Sequence, residues 1–121
     1  MEKTRKYDLE ERLINFAIMI LDLAEQLPNT KAGNHLGGQI IRSGTSPALN
    51  YGEAQRAESR ADFLHKMKVC LKELHETLIC VTIIQRRKMI SNVEFVAIVK
   101  KENTELVAIF TTSIVTAESK R

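Results

Sequence analysis

The sequence predicts an all-α fold, an antiparallel up-down four-helix bundle with a Pro-kinked second helix. Three observations carry this. Leu9, Leu13, Phe16, Ile20, Leu23 and Leu27 recur at alternating steps of four and three, the seam of a helix packed along one side. Phe63, Met67, Cys70, Leu71, Leu74, Leu78 and Val81 repeat that helical spacing further on. Aromatic residues are only 5%, Trp is absent, and capping residues stand before the apolar runs with short polar segments between them. Four helices joined by short connections form an up-down bundle. The 121 residues fit a single domain, 1–121, long enough to bury a core.

The first helix should start at Asp8, with Glu11 three residues on as a capping box. Ile14, Ile18 and Leu21 form a second apolar row beside the seam. An outer helix of a small bundle needs one stripe, so the second row implies extra burial, in the core or against another subunit. Pro28 ends this helix. Asn29 or Thr30 can cap the second, whose apolar face is Leu36, Ile40 and Ile41. Ser59 opens the third, with Asp62 three residues later, and Arg86, Arg87 and Lys88 close it. Ser91 with Glu94 reads as a capping box for the fourth. Its buried side is Val96, Val99, Leu106, Ile109 and Phe110. This segment is rich in β-branched residues, which a strand would accept. The apolar period is near 3.6 and selects a helix. The tail Ser119-Lys120-Arg121 should fray.

The stretch IRSGTSPALNYGEAQ, residues 41–55, breaks the pattern with Gly44, Pro47 and Gly52. Arg42, Ser46, Asn50 and Glu53 nevertheless keep helical spacing across it. A loop would leave that spacing to coincidence. A continuous helix kinked at Pro47 explains it, with small hydroxyl residues re-satisfying the carbonyl of Ser43 that proline frees. The four residues then form a polar stripe. A catalytic use would need a partner to activate Ser46, and no His stands at helical spacing to it. The stripe reads as a hydrogen-bonded network fixing helix register and subunit contacts, with Arg42 and Glu53 paired within or between subunits.

Composition excludes several classes. Hydrophobic residues at 44% and charged residues at 27% mark a globular chain. Asp22 and Glu25 interrupt the best apolar run, so no membrane span is expected. The charged N-terminus, with no small-residue cleavage site after the apolar run, does not read as a signal peptide. Cys70 and Cys80 lie ten apart on one predicted helix, about 15 Å at 1.5 Å per residue. A disulfide tolerates at most about 7 Å, so both should be free thiols in a reducing, cytoplasmic setting. His35, His65 and His75 are scattered, and the single helical pair Asp62–His65 has no second pair to complete a metal site. The glycines of AGNHLGGQ lack the Lys-Ser/Thr of a phosphate loop. No metal or cofactor is expected.

A net charge of +3 is mildly basic. Arg56, Arg60, Lys66, Lys68 and Lys72 flank or stud the first half of the third helix, and Arg86, Arg87 and Lys88 cluster at its end. Each could be a solvated side chain or a helix-dipole partner. Together they are the candidate nucleic-acid surface. Tyr7 and Tyr51 are isolated, so there is no platform for base stacking, and any binding should be to the backbone.

Residues 42–78 resemble the signature of a known family, the four-helix-bundle proteins encoded in intervening sequences of bacterial 23S ribosomal RNA genes. Arg42-Ser43, Ser46-Pro47, Asn50, Gly52-Glu53, Phe63 and Glu73-Leu74 carry the likeness. Gly52-Glu53-Ala54 stands where that family has an Ala-Glu-Gly-like step. The resemblance implies a homo-oligomeric ring, commonly of five subunits, and does not imply an enzyme. A related branch, the accessory proteins of diversity-generating retroelements, binds nucleic acid and a reverse transcriptase. The expectation is therefore a non-enzymatic oligomer that binds RNA or DNA backbone. The alternative is a scaffold for a protein partner with no nucleic-acid role. In a ring, several copies of a weak basic patch would act together on phosphate.

Overall fold

The computed structural model describes residues 4–120, with side chains from Leu9 onward. Four helices follow one another: α1 Thr4–Glu25, α2 Lys31–Gln55, α3 Arg60–Arg87 and α4 Val93–Ser119. Each packs on its neighbour in sequence, and α4 returns to α1 to close the bundle. Contacts show the helix directions. Arg42 and Glu53, rising along α2, meet Glu73 and then Lys66, descending α3. Lys68 and Gln85 on α3 meet Glu118 and then Lys100 on α4. Neighbouring helices thus run in opposite directions.

The ends of the helices have local causes. The hydroxyl of Thr30 accepts the Gly33 N–H at 3.0 Å, and that of Ser59 accepts the Asp62 N–H at 3.0 Å. These are N-cap bonds that satisfy a donor with no partner inside the helix. Two predicted starts move. α1 begins at Thr4, so Asp8 lies inside the helix rather than capping it. Nothing between Thr4 and Tyr7 breaks a helix, and once Leu13 is anchored the helix can extend backward. α4 is capped by Asn92, whose side chain accepts the Phe95 N–H at 3.1 Å, in place of the Ser91–Glu94 box. Ile90 is drawn into the core, which ties the connection down up to that point. At the end of α3, Lys88 adopts the left-handed conformation with φ 56°, and its N–H closes on the Gln85 carbonyl. α4 runs as helix to Ser119, and Arg121 lies outside the described residues.

α2 passes unbroken through Pro47. Thr45 donates to the Ile41 carbonyl at 2.7 Å, and the Asn50 amide donates to the Ser46 carbonyl at 3.1 Å. No side chain among the described residues donates to the Ser43 carbonyl, so the expected rescue of that group is not what these hydroxyls do.

The core draws on all four helices. Leu13, Phe16, Ile20 and Leu23 meet Ile40, Cys70, Leu74, Val81, Ile84, Val99, Leu106 and Phe110, all fully buried. Each such aliphatic or aromatic side chain contributes about 1.5–3 kcal/mol on leaving water. Tyr51 and Phe110 reach across the diagonal from α2 to α4, edge to face, with centroids 5.9 Å apart. Tyr51, isolated in sequence, is thus a core residue. Ile14, Ile18 and Leu21 are not in the core: the second row of α1 faces outward. Ile41 faces outward as well.

α1 crosses α2 at a glycine. A Cβ on Gly44 would stand 2.7 Å from both Cγ atoms of Ile20. Ile20 is β-branched and locked in the core, so it cannot swing away. Gly38, on the same helix, has nothing within 4 Å of its Cβ position and no positive φ. The two sites predict opposite outcomes. Gly44→Ala should lower stability by about 1–3 kcal/mol through overpacking. Gly38→Ala should raise it by about 1 kcal/mol through helix propensity. Denaturant melts of both variants beside the parent check the pair; equal signs would contradict this crossing.

Candidate interaction surfaces

The polar stripe of α2 lies along the seam with α3. Arg42 and Glu53 do not pair with each other within the chain. Eleven residues on one helix separate their Cα atoms by about 16 Å, and each finds a nearer partner on α3. Arg42 Nη1 donates to Glu73 at 3.2 Å and Nη2 to Glu76 at 3.1 Å. Glu53 accepts from Lys66 Nζ at 2.6 Å. The Glu76 hydrogen bond, then the Glu73 charge, push the Arg42 guanidinium above its ordinary pKa. The Glu53 hydrogen bond does the same for Lys66. Ser46 and Asn50 do meet: the Asn50 amide donates to Ser46 Oγ at 2.8 Å. That leaves Ser46 beside a neutral amide, which is no base for activating a nucleophile.

Behind the stripe lies a second, buried layer that sequence reading passed over. Thr77 Oγ1 sits 2.9 Å from Ser43 Oγ and 2.8 Å from the Glu73 carbonyl. The carbonyl can only accept, so Thr77 donates to it and Ser43 donates to Thr77. Cys70 Sγ approaches the Pro47 carbonyl at 3.5 Å. Each buried hydroxyl here has a partner, which is what a buried polar group requires. Asn103 on α4 is fully buried as well. Its amide donates to the Leu74 carbonyl at 3.1 Å, while Oδ1 has no partner. Its signal was available, because Asn103 sits in the heptad row of Val96, Val99, Leu106 and Phe110. A polar residue in such a row sets helix register. Across the α1–α4 seam, Arg12 grips Glu102 with two bonds at 2.9 and 2.8 Å and adds Glu105 at 2.8 Å. Ninety residues separate Arg12 from Glu102, and no local pattern reveals such a pair.

The stripe does not converge on one pocket. Arg42 lines a shallow depression with Gln39, Ser43, Glu76, Ile79 and Cys80. Glu53 lines another with Arg56, Glu58, Ser59, Asp62 and Lys66. His35, His65 and His75 are exposed. Among the described residues no three His, Cys, Asp or Glu side chains gather as a metal-binding group. No described helix is long and apolar enough to cross a membrane.

The eight basic residues divide into two groups. Arg56 donates to the Gly52 carbonyl at 3.0 Å, and Arg60 donates to the Ala117 and Lys120 carbonyls near the chain end. Lys66 is held by Glu53 and Lys68 by Glu118. Lys72, Arg86, Arg87 and Lys88 are exposed, and none joins an ion pair among the described residues. The last three crowd the C-terminus of α3, where positive charge also complements the helix dipole.

Both cysteines are free. Burial pushes the Cys70 thiol from the usual 9.0 up to about 12, and raises Cys80 as well. A thiol that stays protonated is not a nucleophile. The folded chain should therefore release no fast-reacting thiol to a chromogenic disulfide reagent near pH 8. Half-buried Cys80 should react slowly and Cys70 only on unfolding, giving two equivalents in denaturant. Two fast equivalents from the folded chain would contradict this burial. The sign for stability follows too. The unfolded Cys70 ionises first, so its contribution is present below about pH 9 and is lost as pH rises toward 12.

Comparison with known proteins places these features. The family model for the 23S rRNA-intervening sequence protein matches residues 5–111. A solved structure is also similar, a protein with unknown function from the S23 ribosomal protein family from Bacteroides thetaiotaomicron VPI-5482. It shares 32% sequence identity over 87% of this chain and 96% of that one, with a TM-score of 0.79. No curated protein matches. The chain belongs to the 23S rRNA-intervening sequence protein family.

Proposed function

We propose that this chain works without catalysis, as a self-assembling helical scaffold that holds RNA or DNA by its phosphate backbone. The observation that carries the reading is the surplus of apolar surface. The core closes within one chain, yet Ile14, Ile18 and Leu21 form an exposed row on α1, with Ile18 51% exposed, and Ile79 and Ile83 form another on α3, with Ile79 62% exposed. Contiguous apolar patches on a small protein mark contact surfaces. The family resemblance favours a ring, with five subunits as the expected number.

The polyanion half of the reading rests on the basic residues that no carboxylate among the described residues holds. Arg87 and Lys88, beside Arg86 at the end of α3, form its centre. In an assembly each copy presents the cluster again, and weak contacts add by avidity. The family's name refers to ribosomal RNA, which favours RNA as the polyanion. The non-catalytic part is supported by the partners of Arg42, Ser46 and Glu53, each held by a neighbour inside the chain. Two unpaired thiols suit a reducing compartment, and we place the protein in the cytoplasm. A scaffold for a protein partner is the second reading, favoured by the same exposed apolar side chains.

Fluorescence anisotropy with labelled RNA and a matched DNA duplex, at about 50 and 200 mM salt, tests the polyanion claim. The expected result is binding that falls steeply with salt and is lost in Arg87→Glu/Lys88→Glu. Absence of binding at low salt, or binding indifferent to both salt and that double variant, would overturn it in favour of the protein scaffold.

A further inference from the structure

Two exposed helix faces carry the same spacing with opposite charge. On α1, Glu11, Ile14, Ile18, Leu21 and Glu25 stand at steps of three, four, three and four, all exposed. On α3, Lys72, His75, Ile79, Thr82 and Arg86 stand at the same steps, all exposed but the half-buried Thr82. Each row has an isoleucine at its centre and like charges at its ends, about 21 Å apart over fourteen residues. Ile79, Thr82 and Arg86 line a shallow groove with Leu78 and Ile83. None of the four end charges joins an ion pair among the described residues.

The surroundings sharpen the contrast. From residue 13 to residue 30 the chain has Asp22 and Glu25 but no Lys or Arg. Around the α3 groove, Glu76 is already held by Arg42 and Glu73 is buried. α1 and α3 do not pack on each other. They sit across the bundle, so their outward faces point apart and one chain cannot bring its own two faces together.

We propose that the α1 face of one copy docks on the α3 face of a second copy. Ile18 packs into the groove at Ile79, and Glu11 and Glu25 stand opposite Lys72 and Arg86. This contact rests on the self-assembly reading above and gives it a geometry. The apolar centre drives association. The end charges select the partner face, because pairing α1 with α1, or α3 with α3, would oppose like charges. The end charges stand seven residues to either side of the isoleucine, so they match whichever way the helices run. Two different patches meet, so the contact is heterologous, and an open chain of copies keeps one free face of each kind until a ring closes. Lys72 and Arg86 then meet carboxylates, which leaves Arg87 and Lys88 for phosphate.

Charge reversal tests this on the full chain, with mass read by light scattering and helix content by circular dichroism. Glu11→Lys/Glu25→Lys and Lys72→Glu/Arg86→Glu should each keep the helices and fall to the 13.7 kDa monomer. The fourfold variant, with both faces reversed, should regain the parent mass. An assembled parent whose mass survives either double reversal overturns this contact and leaves self-assembly standing. So does a fourfold variant that stays monomeric. A parent that is itself monomeric at all concentrations overturns the contact and the assembly reading together.

Discussion

Ile20 of α1 rests on the bare backbone of α2 at Gly44, and the arrangement of the surface depends on that crossing. A side chain at Gly44 would collide with both Cγ atoms of Ile20. The crossing turns Leu13, Phe16, Ile20 and Leu23 inward. Because an α-helix has 3.6 residues per turn, the same rotation carries Ile14, Ile18 and Leu21 to the outside. For α2, pointing Gly37 and Gly44 at α1 brings Arg42, Ser46, Asn50 and Glu53 to the side of α3. The outward apolar row and the polar seam are thus two results of one close approach.

The seam between α2 and α3 joins polar groups in matched pairs. Arg42 spans Glu73 and Glu76, Thr77 links Ser43 to the Glu73 carbonyl, and Lys66 holds Glu53. Ion pairs whose cationic arm reaches into water add little stability. Their effect is on register. A slip of one helix turn would part Ser43 from Thr77 and leave the Ser43 hydroxyl without that partner in the core, about 1–3 kcal/mol for a stranded group. Asn103 plays a related part on α4 through the Leu74 carbonyl. The residues that looked like a site by their spacing serve the packing of the bundle, and the exposed apolar rows lie on the other sides of α1 and α3.

The helices were legible because their signals are local. Thr30 and Ser59 cap where their hydroxyls predict. The 3.6 period in α4 outweighs its β-branched composition, since packing decides where propensity is weak. Partners were not legible. The spacing of Arg42 and Glu53 told which face they share, but a shared face on one helix keeps them too far apart to touch, and the carboxylates and amine that meet them come from α3. Lys68 and Arg60 looked free for the same reason, because their partners lie near the end of α4. Asn103 was readable from its heptad position, and Tyr51 was missed because one aromatic in a polar stretch gives no period to follow.

The central claim is that a single chain completes its own core and leaves the outer row of α1 for another molecule. Sedimentation of Ile18→Glu beside the parent measures this most directly. The account predicts an assembled parent and a variant that keeps its helices and its thermal melt but sediments as the 13.7 kDa monomer. A variant with unchanged mass would contradict the claim, and a variant that unfolds would place Ile18 in the core rather than on the surface.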